Sequence, residues 1–113
     1  MIETDHRPTP GSFSLVSREA CRDRRVGWLG LRVLGELSAY RNAETGLAFP
    51  STLTIAAALL VSQRAVQKQL KALEQLGYVR EVVDPRYPNR RSRTWLIIYP
   101  VGERPTERWY RRP

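Results

Sequence analysis

A chain of 113 residues is long enough for one modest hydrophobic core and too short for two. Its formal net charge of +8 is concentrated in residues 62–93, which hold eight Lys or Arg against three Asp or Glu, so the expected partner is a polyanion, nucleic acid first. A single cysteine excludes an internal disulfide and fits a reducing cytosol, and no stretch approaches the roughly 18 apolar residues of a membrane-spanning helix.

Residues 1–12 read as a flexible N-terminal arm: Pro8, Pro10 and Gly11 stand among scattered charges, His6 faces solvent, and there is no apolar core of a signal peptide. A brief β-like run follows over residues 13–16, after which Ser17 can cap a single turn of helix as far as Cys21, a small residue expected to be buried. Past the basic residues 22–25 a first long helix is predicted over residues 26–41, with Val26, Leu29, Val33, Leu37 and Tyr40 on one face. Trp28, Leu31 and Gly35 lie on the other side of that helix, beside the small Ser38 and Ala39. Two explanations stand open for this second stripe: a homodimer interface formed by Trp28, Leu31 and Gly35, or cover from Phe13, Leu15 and Val16 of the same chain.

Residues 42–46 predict a turn, and residues 47–49 a short strand ahead of Pro50. Ser51 is a good cap for a helix over residues 52–60, with Ile55, Ala56 and Leu59 inward. The next helix starts from the Ser62 cap and stops at Gly77, which tolerates the left-handed conformation of a helix end. Val66, Leu70, Leu73 and Leu76 form its apolar face, and Arg64, Lys68, Lys71 and Gln75 fall opposite, with Gln67 beside them. Residues 78–83 and 95–99 are rich in β-branched and aromatic side chains and predict a hairpin. Its long tip, residues 84–94, carries Arg86, Arg90, Arg91 and Arg93. Residues 101–113 form a basic tail in which Arg108, Trp109, Tyr110, Arg111 and Arg112 mix rings with cations.

The run FPSTLTIAAALLVSQRAVQKQLKALEQLGYV resembles the winged helix-turn-helix domains of phage and plasmid replication proteins and of small bacterial transcription regulators. The match rests on Pro50-Ser51, Ile55-Ala56, the Ser62 cap, Val66-Gln67, and Leu70, Leu73, Leu76 and Gly77. With the upstream FSLVSREACRDRRVGWLGLRVLGELSAY, similar to the lead-in of replication-type members, the resemblance covers residues 13–99. Two positions depart from it: Leu60 stands where the turn often has Gly, which predicts a tighter or more buried turn, and Gly27 stands where a Ser cap is frequent. The fold class expected is mainly α with a small β-hairpin, a winged helix-turn-helix with a three-helix core plus wing over residues 13–100.

This reading assigns DNA contacts to Ser62, Gln63, Arg64, Gln67, Lys68 and Lys71 on the recognition helix and to Ser51 and Thr52 at the start of the helix before it. Arg86, Arg90, Arg91 and Arg93 would serve on the wing, along the backbone or in the minor groove. The expected partners are double-stranded DNA, a second copy of the chain, and a larger replication or transcription machinery; no membrane partner is expected. The alternatives are a protein-interaction module using the Trp28 stripe, and RNA binding by the wing and tail. No enzyme is expected, nor a cofactor or metal: one His and one Cys cannot make a four-ligand zinc cluster, and there is no Gly-rich phosphate loop and no nucleophile with a base at motif spacing. The carboxylates are expected as exposed partners of basic residues, as for Glu74 three positions after Lys71.

Overall fold

The Ser17 hydroxyl accepts hydrogen bonds from the backbone N–H groups of Glu19 and Ala20 and opens a short helix, α1 (Arg18–Arg22). The structure is a computed structural model describing residues 12–99. The expectations for His6 and residues 1–11 and for the 101–113 tail lie outside the described residues. Residues 13–16 carry no regular secondary structure, in place of the β-like run, and Cys21 is exposed rather than buried.

Helix α2 (Trp28–Ala39) is shorter at both ends than residues 26–41. Asp23 accepts from the N–H groups of Arg25 (carboxylate, 2.9 Å) and Val26 (carbonyl, 3.0 Å), which holds residues 24–26 in a turn. At the other end Tyr40 and Arg41 donate back three residues, to Leu37 and Ser38, so the last turn tightens and the helix stops. Val26 and Tyr40 still pack against the core from outside the helix. The buried face of α2 is also wider than predicted, taking in Leu34 and Ser38.

Helix α3 (Thr52–Leu59) is capped by Ser51, whose hydroxyl accepts from Thr54 N–H at 3.0 Å. It ends with Leu60 at φ 58°, the left-handed conformation usually left to Gly, while Val61 N–H closes back onto Ala56. The expected burial of the turn is corrected: with its backbone left-handed, the Leu60 side chain is 91% exposed. The Arg32 guanidinium of α2 donates to the Leu59 carbonyl at 3.3 Å, satisfying one of the carbonyls left over at this helix end. Helix α4 (Gln63–Leu76) starts from Ser62, which accepts from Ala65 N–H at 3.1 Å. It ends at Gly77, φ 89°, with Tyr78 N–H bonded to the Leu73 carbonyl.

Helices α2, α3 and α4 pack on one another. Where α2 meets α4 the Gln69 side chain lies over Gly30, its Oε1 3.1 Å from where a Cβ would stand. Behind them lies a three-stranded antiparallel sheet in the order β1 (Leu47–Ala48), β3 (Thr94–Ile97), β2 (Val79–Val82). The expected hairpin is thus joined by a third strand, with Ala48 opposite Trp95 and Glu81 opposite Trp95 on its other side. The core is continuous, from Val33 and Leu37 through Ile55, Val66, Leu70 and Leu73 to Tyr78, Val79, Trp95 and Ile97. No helix among the described residues is long and apolar enough to cross a membrane.

Two contacts tie the chain ends of this core together. Tyr99 Oη donates to the Leu15 carbonyl at 2.9 Å, and Tyr78 Oη donates to Asp23 Oδ2 at 2.7 Å. Hydrogen bonding from the Arg25 side chain, then from Tyr78, holds the Asp23 carboxyl well below the usual carboxylate range. Burial, reinforced by the bond to Asp23, pushes the Tyr78 phenol from 10.0 up to about 12. Since the folded value is raised, the stability linked to this phenol is complete below pH 10 and is lost as pH rises through about 12. An absorbance titration of tyrosinate, subtracting the Tyr78→Phe variant, is expected to show the missing component near 12. A component at the ordinary value would contradict the Tyr78 to Asp23 bond.

Candidate nucleic-acid interface

The buried Val66, Leu70 and Leu73 of α4 recur at helical spacing, with the half-buried Leu76 on the same face, so the opposite side of the helix is turned out of the molecule. Gln63, Arg64, Gln67, Lys68 and Lys71 are all exposed there. Arg64, Lys68 and Lys71 form no ion pair with another described residue, which leaves three cations on a rigid helix available to an external anion. Gln63 is engaged at one end: its Nε2 donates to Thr52 Oγ1 at 2.7 Å, fixing the start of α4 against the start of α3.

That contact forms one corner of a groove of about 660 Å³. Ser51 and Thr52 stand on one side, Gln67 and Lys71 on α4 on the next, and Arg91 and Arg93 of the β2–β3 connection close it. Its floor is apolar, from the buried Leu70 and Trp95. Seven predicted contact residues, Ser51, Thr52, Gln63, Gln67, Lys71, Arg91 and Arg93, from three separate parts of the chain are thereby brought around one concave surface. Arg64 and Lys68 stand one position further along the helix and face outward beside it.

The four wing arginines do not share one environment. Arg91 is exposed, and Arg93 is exposed with its Nε 3.6 Å from Glu81. Arg86 pairs with Asp84 at 3.1 Å and retains 55% side-chain exposure. Arg90 is turned inward, only 12% exposed, with its guanidinium 3.5 Å from the centre of the Phe49 ring. The same task on DNA is expected of all four from the sequence, but the buried Asp84 carboxylate draws two of them, Arg86 and Arg90, back to the base of the wing. Hydrogen bonds from Arg86 hold Asp84 below the usual carboxylate range against the opposing effect of burial.

Residues 31–79 match the family model of a helix-turn-helix domain, a span running from α2 to the first residue of β2. The chain carries a helix-turn-helix domain. No curated protein and no solved structure gives a significant match. With the antiparallel sheet and the β2–β3 connection beyond the matched span, the architecture is that of a winged helix-turn-helix, and the match supports DNA binding.

Elsewhere on this helix-turn-helix domain, the second stripe of α2 is divided. Trp28 is 87% exposed, whereas Leu31 is half-buried and Gly35 lies beside Val16, whose Cγ2 is 3.9 Å from where a Cβ would stand. The N-terminal segment therefore covers the Gly35 end through Val16, while Phe13 is 86% exposed. Among the described residues no group of three or more His, Cys, Asp or Glu is placed to hold a metal ion. Glu74, expected as an exposed partner of Lys71, instead lines the groove and accepts from Glu81 N–H at 3.1 Å, a place in the site the sequence reading did not give it. Its spacing of three from Lys71 and seven from Gln67 places it on their stripe, so a helical projection reveals it. Phe49 was also missed, and nothing local marks it.

Proposed function

We propose that the chain is a sequence-selective double-stranded DNA-binding protein, with α4 in the major groove and the wing on the backbone or in the minor groove. The observation that carries this reading is the set of outward cations Arg64, Lys68 and Lys71 next to a groove walled by Gln67, Arg91 and Arg93. Arg and Lys donate to the O6 and N7 acceptors of guanine, and Gln pairs with adenine through N6 and N7, so this face holds the side chains that read base edges. The exposed wing arginines and the start of α3 would supply phosphate contacts, which position the protein without reading sequence.

In this reading the protein is not an enzyme, uses no cofactor, and works in the bacterial cytosol in plasmid or phage replication initiation or its control, or in transcription regulation. The similarity of the upstream FSLVSREACRDRRVGWLGLRVLGELSAY to the lead-in of replication-type members favours the replication side. The exposed Trp28 supports action as a homodimer, since paired copies match paired half-sites on DNA.

A mobility-shift comparison of duplex DNA, single-stranded DNA and RNA at two salt concentrations tests the proposal. The expected result is preference for duplex, with affinity falling on a log–log plot by about 0.9 per phosphate neutralised. Equal binding to RNA, or binding insensitive to salt, would overturn it. Selection from a random duplex pool then reads the site, and a palindromic site would support two-fold binding.

A further inference from the structure

We infer that Arg90 is a positioning residue of the wing rather than one of its DNA contacts: its guanidinium, in contact with the Phe49 and Tyr87 rings and paired with the buried Asp84, fixes the wing against the start of the helix-turn-helix. The inference rests on the DNA-binding reading above and assigns Arg90 a different task from its neighbours Arg91 and Arg93.

The geometry joins two distant parts of the chain. Phe49 leaves β1 and is followed directly by Pro50 and the Ser51 cap of α3. Arg90, Tyr87 and Asp84 belong to the β2–β3 connection. The Arg90 Cζ lies 3.5 Å from the Phe49 ring centre and 4.8 Å from that of Tyr87, and its Nη2 is 3.7 Å from Asp84 Oδ2. The connection is wound tightly around this point: Tyr87 N–H donates to the Asp84 carbonyl at 2.9 Å, and Arg90 N–H to the Tyr87 carbonyl at 3.3 Å. Arg86 completes the cluster, with Nε and the backbone N–H on Asp84 Oδ1 and Nη2 on Oδ2.

Two physical arguments separate clamping from phosphate binding. To reach a phosphate, Arg90 would have to leave both rings and withdraw one of the two cations that compensate a carboxylate only 3% exposed. A flat, delocalised guanidinium also suits contact with ring faces in a way that an ammonium does not, although either charge would serve a phosphate. The clamp holds the wing at a set distance from α3 and α4, so that Arg91 and Arg93 close the groove opposite Ser51, Thr52 and Lys71.

The test uses the full chain and a duplex recovered by selection from a random pool. Arg90→Lys keeps the charge, and Phe49→Leu keeps an apolar side chain but removes the ring. Each is expected to weaken duplex binding by about tenfold, the scale of a desolvated cation–π contact, and the double variant no more than either alone. In the free protein, both are expected to raise the mobility of the backbone amides of residues 84–93 in NMR relaxation, with melting temperatures reported alongside. Binding like wild type in either single variant, multiplied losses in the double, or an unchanged wing would each overturn the clamp. If the wild-type chain binds no duplex, the DNA-binding reading fails, and the relaxation measurement still decides the clamp.

Discussion

Replacing Arg64 and Lys68 together by Glu is expected to abolish specific duplex binding, with a loss of about a hundredfold or more. The substitution places like charge against phosphate, and such juxtaposition costs several kcal/mol. Both side chains are exposed on α4 and neither has an ion-pair partner among the described residues, so the fold should change stability by no more than about 0.5 kcal/mol. A fluorescence-anisotropy titration with a labelled duplex, beside a urea unfolding curve, separates the two quantities. The neutral variants Arg64→Gln and Lys68→Gln refine the result. If each cation neutralises one phosphate, each variant lowers the salt slope by about 0.9. A charge-reversed protein that still binds tightly and with the original slope would remove α4 from the interface.

Leu73→Ala has its large effect on the fold instead. Leu73 is 1% exposed, one of the three buried anchors of α4, and its carbonyl also receives the N–H of Tyr78 at the helix end. Truncating such a side chain removes burial energy and leaves a cavity, at a cost of about 2–5 kcal/mol. That is a large part of the roughly 5–15 kcal/mol available to a small domain. The expected observation is a lowered urea midpoint with an unchanged slope of free energy on denaturant. Leu76→Ala, at a half-buried position on the same face, should cost less. Where Leu73→Ala remains folded, its duplex affinity should match wild type after correction for the folded fraction, because Leu73 faces away from the groove. A cost below about 1 kcal/mol would mean that α4 is not anchored through this face.

These two variants divide α4 along the line that was already visible in the amino-acid order. Val66, Leu70 and Leu73 recur at helical spacing, and Ser62 and Gly77 mark the two ends, so the helix and its outward residues follow from local patterning. The same holds for Ser17 and Ser51 as caps. Errors gathered at ends and turns, where a competing local bond decides. The Asp23 turn shortened α2 at its start, and a tightened last turn shortened it at its finish. Leu60 was misjudged because exposure depends on where a left-handed backbone sends the side chain, which residue type does not reveal.

By itself, then, the amino-acid order determined which segments are helical, which face of α4 is apolar, and which is cationic. Each of those properties is settled among residues three or four positions apart. The tertiary structure alone decided that residues 47–48 pair with β3, that Gly30 of α2 faces the Gln69 side chain of α4, and that Ser51, Lys71 and Arg93 surround one groove. It also decided that Arg90 faces inward while Arg91 faces outward. Those outcomes depend on bringing together residues as far apart as Phe49 and Arg90. Two arginines adjacent in sequence carry the same charge and the same propensities, and only the ring and carboxylate delivered from elsewhere in the fold distinguish them.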